Sequence, residues 1–243
     1  MIAIMTDFGV SGPYIGQMRA VIHAQAPGVD VVDLFPDLPA CNVKAAAYLL
    51  PAYTQYLPEG TVCLCVVDPG VGTHRRALAL QIDRRWFVGP DNGLFSVLLN
   101  RGEEITTKEI HWRPDQLSDS FHGRDLFAPV AARLAKGVDD GIETIEAGAL
   151  VMPDWPDELS EVIYLDSFSN AITGLTATDL PETTVLEVAG YQCQYTRTFA
   201  EAGPGRLFWY RNSNGLVEIA MNQAGASEKT GIRVGDTIRI VSN

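Results

Sequence analysis

Blocks of apolar residues with two different periods alternate along the first part of the chain. "IAIM" (2–5) predicts a strand and leads into "YIGQMRAVIHAQA" (14–26), where Ile15, Met18 and Ile22 recur at helical spacing. "VDVVDLF" (29–35) predicts a second strand, and "NVKAAAYLLPAYTQYL" (42–57) a second helix that Pro51 kinks or breaks. "TVCLCVV" (61–67) is a near-continuous apolar run, the pattern of a central parallel strand covered on both faces. "LALQI" (78–82) and "RWFVG" (85–89) predict short strands about a turn. "DLFAPVAARLAKG" (125–137) predicts a helix that Asp125 caps and Gly137 closes, with Pro129 near enough to the first turn to be tolerated. The alternation predicts an α/β domain over residues 1–150, three layers deep, with a mostly parallel sheet.

The pattern changes at "ALVMPDWPDELS" (149–160), where prolines and acids predict a linker over 151–160. Beyond it "EVIYLD", "TVLEVAG", "RLFWY", "LVEIAM" and "DTIRIV" are short, β-branched or period-two runs, which predict a small C-terminal β-barrel domain over 161–243.

Composition narrows the function classes. A chain of 243 residues, 47% hydrophobic and 20% charged, can bury a substrate pocket within one or two domains. Its formal net charge of −12 argues against nucleic acid as a partner, because affinity for phosphate backbones comes from clustered Lys and Arg. "MIAIMTDFG" holds neither a basic region nor a long apolar run, so we expect no signal peptide, no membrane anchor and a cytoplasmic protein. Cys41, Cys63, Cys65 and Cys193 lack CxxC spacing, and the alternation of Cys63 and Cys65 in a strand favours buried free thiols over zinc or disulfides.

Chemistry-bearing residues cluster at strand ends. Asp7, Asp68 and Asp91 each follow a first-domain strand, and ligands of open α/β sheets bind beyond the carboxyl ends of the strands, so these three acids are expected to converge on one crevice. Asp166 ends a strand of the second domain. An acid in such a place is also ordinary turn chemistry, since Asp bonds its own backbone. No GxxxxGK[ST] loop is present, and "GVSGPYIG" fits GxGxxG poorly. His122 precedes the last helix of the first domain; its titration range suits proton transfer, although a lone histidine is more often a structural hydrogen-bonder. Arg124 and Asp125 beside it read as a local ion pair or cap.

Taken together, "MTDFG", "VVDPGVGTHRR", "GPDNGLFS", "SFHGRDLFAPVAA", "DSFSNAIT" and "NSNGLVEIAMNQAGAS" resemble the S-adenosyl-L-methionine hydroxide adenosyltransferase family, adenosine-forming hydrolases related to the fluorinases and chlorinases. The resemblance runs over nearly the whole chain in the right order. It implies an α/β domain followed by a β-barrel, and attack of water on ribose C5′ that releases adenosine and L-methionine without a metal or organic cofactor. It also implies that Asp68, Arg75 and His122 are the catalytic set, with Asp68 and Arg75 flanking the nucleophile. Asp7 then grips the ribose diol, Phe168 and Phe199 pack against adenine, and Asn170, Ser213 and Glu218 make polar contacts to the nucleoside or the methionine part. Met221 contacts adenine through its backbone, Asp166 takes the substrate ammonium, and Asp68 touches substrate as well. The family pattern further implies a homotrimer with the active site at the subunit interface.

Two positions depart from the family pattern. Ser169 stands where Gly is usual, and Gly174 where Asn is usual. The halogenases carry a tyrosine and a serine where this chain has His122 and Gly123, which favours water over a halide as nucleophile. A nucleoside-binding module without significant turnover is the alternative from another class, and a halogenase the less favoured one.

Overall fold

The computed structural model describes residues 1–242 and divides the chain into two compact units, Met1–Pro153 and the residues from Asp154 onward.

The first unit is built on a seven-stranded sheet. In chain order its strands are β1 (Ile2–Thr6), β2 (Val31–Phe35), β3 (Val62–Val66), β4 (Ala77–Ile82), β5 (Arg85–Pro90), β6 (Ile105–Ile110) and β7 (Ile142–Thr144). In space they run β2-β1-β3-β5-β4-β6-β7. The stretch β2-β1-β3-β5 is parallel, whereas β4 is antiparallel to both β5 and β6, and β6 to β7. The sheet is therefore mixed, which corrects the expectation of a mostly parallel one. The cause is local: β4 and β5 are joined through Asp83 and Arg84, both at positive φ (47° and 65°), a two-residue reversal that permits only antiparallel pairing. The sequence reading also passed over β6 and β7.

Helices cover both faces. The helices α1 (Tyr14–Gln25) and α4 (Ala128–Ala135) bury Met18, Ile22, Val130 and Leu134 against Ile2, Ile4, Val62, Leu64 and Val88, one alternate set of strand positions. On the opposite face, Phe35 meets Tyr53 of α2 (Val43–Thr54) and Phe87 meets Phe95 at the start of α3 (Ser96–Arg101). Asn42 caps α2 by accepting from the Ala45 N–H, and the helix continues three residues past Pro51 rather than breaking there. Ahead of α4, residues Gly123–Phe127 form a π-helical turn, so the helical segment begins before Asp125 and Asp125 is not its cap. Gly137, at φ 75°, closes it as expected, donating to the Leu134 carbonyl.

The second unit is a single curled sheet. It contains β8 (Leu159–Leu165), β9 (Ala171–Thr176), β10 (Val185–Val188), β11 (Tyr191–Tyr195), β12 (Leu207–Arg211), β13 (Leu216–Met221) and β14 (Arg239–Ser242), with a short helix α5 (Ala226–Thr230). The spatial order is β14-β10-β11-β12-β13-β9-β8, antiparallel except between β11 and β12. Val162 of β8 donates to the Asp236 carbonyl and accepts from the Gly235 N–H, both at 2.8 Å, so the far edge of the sheet meets the segment that enters β14. Trp209, Val188, Val217 and Ile219 fill its interior. Gly174 belongs to this packing: a Cβ there would lie 2.6 Å from the Leu159 Cβ and 2.8 Å from its carbonyl oxygen.

Cys63, Cys65 and Cys193 are buried free thiols; Cys41 is also free but exposed, so the reading of four buried thiols fails there. Burial pushes the Cys63 and Cys193 thiols up to about 12. No helix among the described residues is long and apolar enough to cross a membrane.

Candidate functional site

The strand register brings two of the acids together. Because β1 and β3 are parallel neighbours with Thr6 opposite Val66, Asp7 and Asp68 emerge at the same carboxyl edge of the sheet. Both line a cavity of about 390 Å³ whose walls also include Phe8, Tyr14, Cys41, Phe121 and His122. Asp91 leaves the same edge after β5 but is used differently. Arg76 holds it through Nη2 at 2.7 Å and Nε at 2.9 Å, and the Val151 N–H donates to its other oxygen at 2.9 Å. It fixes the chain near residue 151 and does not line the cavity, so only two of the three acids converge.

The loop after β3 folds back to place an arginine behind Asp68. Val71 N–H donates to the Asp68 carbonyl and Thr73 caps the Gly70 carbonyl with both N–H and hydroxyl. Gly72 sits at φ 80°, and a Cβ there would lie 2.5 Å from the Asp119 carbonyl oxygen, so this turn needs glycine for both conformation and space. Arg75 returns as a fork: Nε donates to Asp68 Oδ1 at 2.7 Å, and Nη2 pairs with Oδ2. The same Nη2 lies 2.9 Å from His122 Nδ1, and the guanidinium stacks 5.2 Å over the Phe127 ring. The Arg75 and Asp68 side chains are only 8% and 5% exposed.

This contact settles the state of the histidine. A guanidinium has donors and no acceptor, so Nδ1 accepts and the neutral ring carries its proton on Nε2. Burial and the Arg75 charge push the His122 pKa below 6.5, in keeping with a neutral ring. Asp7 is shifted the other way: burial raises its carboxyl, against the Cys41 N–H that donates to it at 2.8 Å, and Asp68 raises it further. Cys41 reaches it from a left-handed backbone, φ 54°. Arg124 pairs with Asp125 at 2.6 Å, and Asp125 also accepts from the Ser118 N–H, which draws its carboxyl down.

In the second unit another group assembles. Asp166 Oδ1 accepts from the Phe168 and Asn170 N–H groups at 2.9 and 2.8 Å, and Oδ2 from Asn170 Nδ2 at 3.1 Å. Glu218, 5% exposed, accepts from Asn212 Nδ2 at 3.1 Å and from the Tyr210 hydroxyl, and burial raises its carboxyl. Phe199 stands edge-on to Phe208 and Tyr210, with centroids 5.1 and 5.3 Å away. Phe168 is 76% exposed beside this group. Ser213 lies exposed in the turn between β12 and β13, and Met221 ends β13. Ser169, the first departure from the family pattern, adopts φ 63°, which glycine adopts freely; its hydroxyl donates to Glu228 at 3.0 Å and its carbonyl accepts from Ser227.

Sequence reasoning missed Phe8, Tyr14, Cys41 and Phe121 as cavity residues. "DFG" and "SFHG" pointed at their neighbours, but nothing local marks an aromatic as cavity-lining rather than core. Among the described residues no group of three or more His, Cys, Asp or Glu is placed to hold a metal ion.

Residues 2–145 match the SAM hydroxide adenosyltransferase N-terminal domain, and residues 160–239 match its C-terminal domain. The (R)-S-adenosyl-L-methionine hydrolase of Thermus thermophilus is 39% identical over 98% of both chains. A fluorinase of Nocardia brasiliensis is more distant, 23% identical over 99% of this chain and 96% of its own. The crystal structure of an uncharacterized conserved protein from Thermotoga maritima, 29% identical, superposes with a TM-score of 0.88 over 98% of each chain.

Proposed function

The chain belongs to the SAM hydroxide adenosyltransferase family and is a hydrolase of S-adenosyl-L-methionine; we propose that Asp68 and His122, held by Arg75, direct water onto ribose C5′. The observation that carries this reading is the Arg75 fork, which grips Asp68 through two nitrogens and His122 through one, with Asp68 and His122 on the wall of the cavity that also holds Asp7.

The sulfonium is already a good leaving group, so the site has only to orient a water and receive its proton. The water oxygen bonds C5′, the C5′–S bond breaks with its electron pair left on sulfur, and methionine departs as a neutral thioether. Arg75 cannot take the proton, and His122 Nδ1 is occupied by Arg75 while Nε2 is already protonated, so Asp68 accepts it and passes it to solvent. His122 serves as a donor through Nε2. Arg75 does not line the cavity and acts through its two partners, as a positioning residue. Orientation of the attacking water supplies the proximity term of the rate.

Asp7 grips the ribose diol, two adjacent hydroxyls that a carboxylate can accept together. Phe168 and Phe199 cover adenine, Asn170, Ser213, Glu218 and the Met221 backbone take the nucleoside and methionine polar groups, and Asp166 takes the ammonium. We assign this second set to the β-barrel domain of a neighbouring subunit in a homotrimer. The exposure of Phe168 (76%) and Phe199 (39%) supports that assignment, since large rings left in water gain from being covered. Four free cysteines among the described residues support work in the cytoplasm.

The test is to incubate EDTA-treated protein with S-adenosyl-L-methionine in ¹⁸O-water, with and without chloride, and to analyse nucleosides by mass spectrometry. Adenosine labelled at the 5′ oxygen with release of methionine is expected. A 5′-chloro product, or intact substrate with retained nucleoside, would overturn the reading in favour of a halogenase or a binding module.

A further inference from the structure

We propose that Phe8 and Tyr14, beside the Asp7 carboxylate that also grips the ribose, form a subsite that recognises the positive charge of the substrate's sulfonium. Three observations carry it. First, Phe8, Tyr14 and Phe121 form a closed set of ring contacts on the cavity wall, with centroids 5.5–5.8 Å apart and the Tyr14 and Phe121 planes at 89°. Second, these rings are not enclosed, although Phe8 and Phe121 pack on one side against the core. Tyr14 is 51% exposed and Phe8 and Phe121 are half-buried, whereas Phe87 and Phe127 are fully enclosed. Third, the wall is short of positive charge: among the described residues lining the cavity there is no Lys or Arg, Arg75 behind it neutralises Asp68, and Asp7 accepts from the Cys41 N–H and its own N–H, neither of which carries a full charge. One carboxylate charge is left facing the space where the substrate's cation would sit.

A sulfonium is a soft, weakly hydrated cation, the kind that aromatic faces attract through their quadrupole. One face of Phe121 is already occupied by the Arg124 guanidinium, 5.1 Å from its centroid, so the substrate cation falls to Phe8 and Tyr14. Once the C5′–S bond breaks, the sulfur is neutral and this attraction ends, which favours release of methionine. The same subsite binds the demethylated thioether S-adenosylhomocysteine less tightly, because it lacks the charge, and attack at its C5′ would have to expel the poorer homocysteine thiolate leaving group.

The inference rests on the cavity's being the S-adenosyl-L-methionine site, and the experiment separates the two. Inhibition constants are measured for S-adenosylhomocysteine, neutral at the sulfur, and for sinefungin, which carries an amine at that position. Neither is hydrolysed. In the wild type sinefungin is expected to bind more tightly. Phe8→Leu and Tyr14→Leu, which keep apolar bulk and remove the π face, are each expected to cut that preference by about three- to tenfold while leaving S-adenosylhomocysteine within about twofold. Asp7→Asn cuts the preference as well, while weakening both ligands through the ribose. A preference unchanged in both leucine variants, with their melting temperatures intact, overturns the subsite and leaves the hydrolase reading standing. Failure of both ligands to inhibit a wild type that also leaves S-adenosyl-L-methionine intact overturns both.

Discussion

Arg75 grips Asp68 through two nitrogens, yet only Asp68 faces the cavity. The guanidinium is a support for the carboxylate and for His122, and its fork geometry is what a lysine lacks. Arg75→Lys should lower kcat by about a hundredfold through loss of alignment, with KM nearly unchanged. Steady-state kinetics checks this, and a rise in KM with kcat intact would mean that Arg75 binds substrate instead.

Removing the two groups proposed to touch the attacking water should cost more. Asp68→Asn keeps shape and removes the proposed proton acceptor, and is expected to reduce kcat by about 10²–10⁴-fold. His122→Ala should fall in the same range. Variants that hydrolyse S-adenosyl-L-methionine as fast as the wild type would remove these residues from the mechanism.

The pH profile should report His122. Its pKa lies below 6.5, so the ring stays neutral at pH 7 and protonates only as pH falls through that lowered value. Protonation places an N–H on Nδ1 opposite the Arg75 Nη2 donor and breaks the contact. We expect kcat flat from pH 7 to 8, with an acid limb whose midpoint lies below 6.5. An acid limb centred above 6.5 would contradict the arrangement.

Asp7 should exchange stability for function. Its folded pKa is raised above 3.8, so its contribution to stability is full below about 3.8 and is lost as pH rises through the raised value. At pH 7 the wild type bears the cost of a half-buried carboxylate, and Asp7→Asn, which can still accept from the Cys41 N–H, removes it. The variant should melt at a higher temperature than the wild type at pH 7, with the gap closing as pH falls toward 4. A gap independent of pH would show another cause.

Restoring the usual family residue at position 174 should harm this chain. An asparagine Cβ would meet Leu159 at 2.6 Å, so Gly174→Asn is expected to destabilise by about 2 kcal/mol as an overpacked site. Combining it with Leu159→Ala should recover little of the loss, because alanine keeps the Cβ and the carbonyl that the new side chain meets, as denaturant unfolding would read. Equal stability of Gly174→Asn and wild type would show that β8 yields freely.

Several features were legible in the chain because they are local. The apolar run of β3, the helix α2, Gly137 behind α4 and the β-rich character beyond residue 160 all follow from side chains acting on their own backbone or on neighbours one turn away. The motifs around Asp68, Arg75 and His122 pointed to the family without any coordinates. Other features were misjudged for an equally physical reason. Asp7, Asp68 and Asp91 look alike as acids after strands, and the difference between them lies in partners far along the chain. Arg76 and the Val151 N–H take Asp91, Arg75 takes Asp68, and the Cys41 N–H takes Asp7.

By itself, then, the sequence determined the elements with a strong period, the mixture of helix and strand, and the family. The tertiary structure decided the hand of the pairing beyond β5, the aromatic wall of Phe8, Tyr14 and Phe121, and the place of Arg75 behind the cavity. Those outcomes depend on which distant groups satisfy a buried charge or cover an exposed ring, and spacing along a chain carries little information about partners 47 residues apart, such as Arg75 and His122.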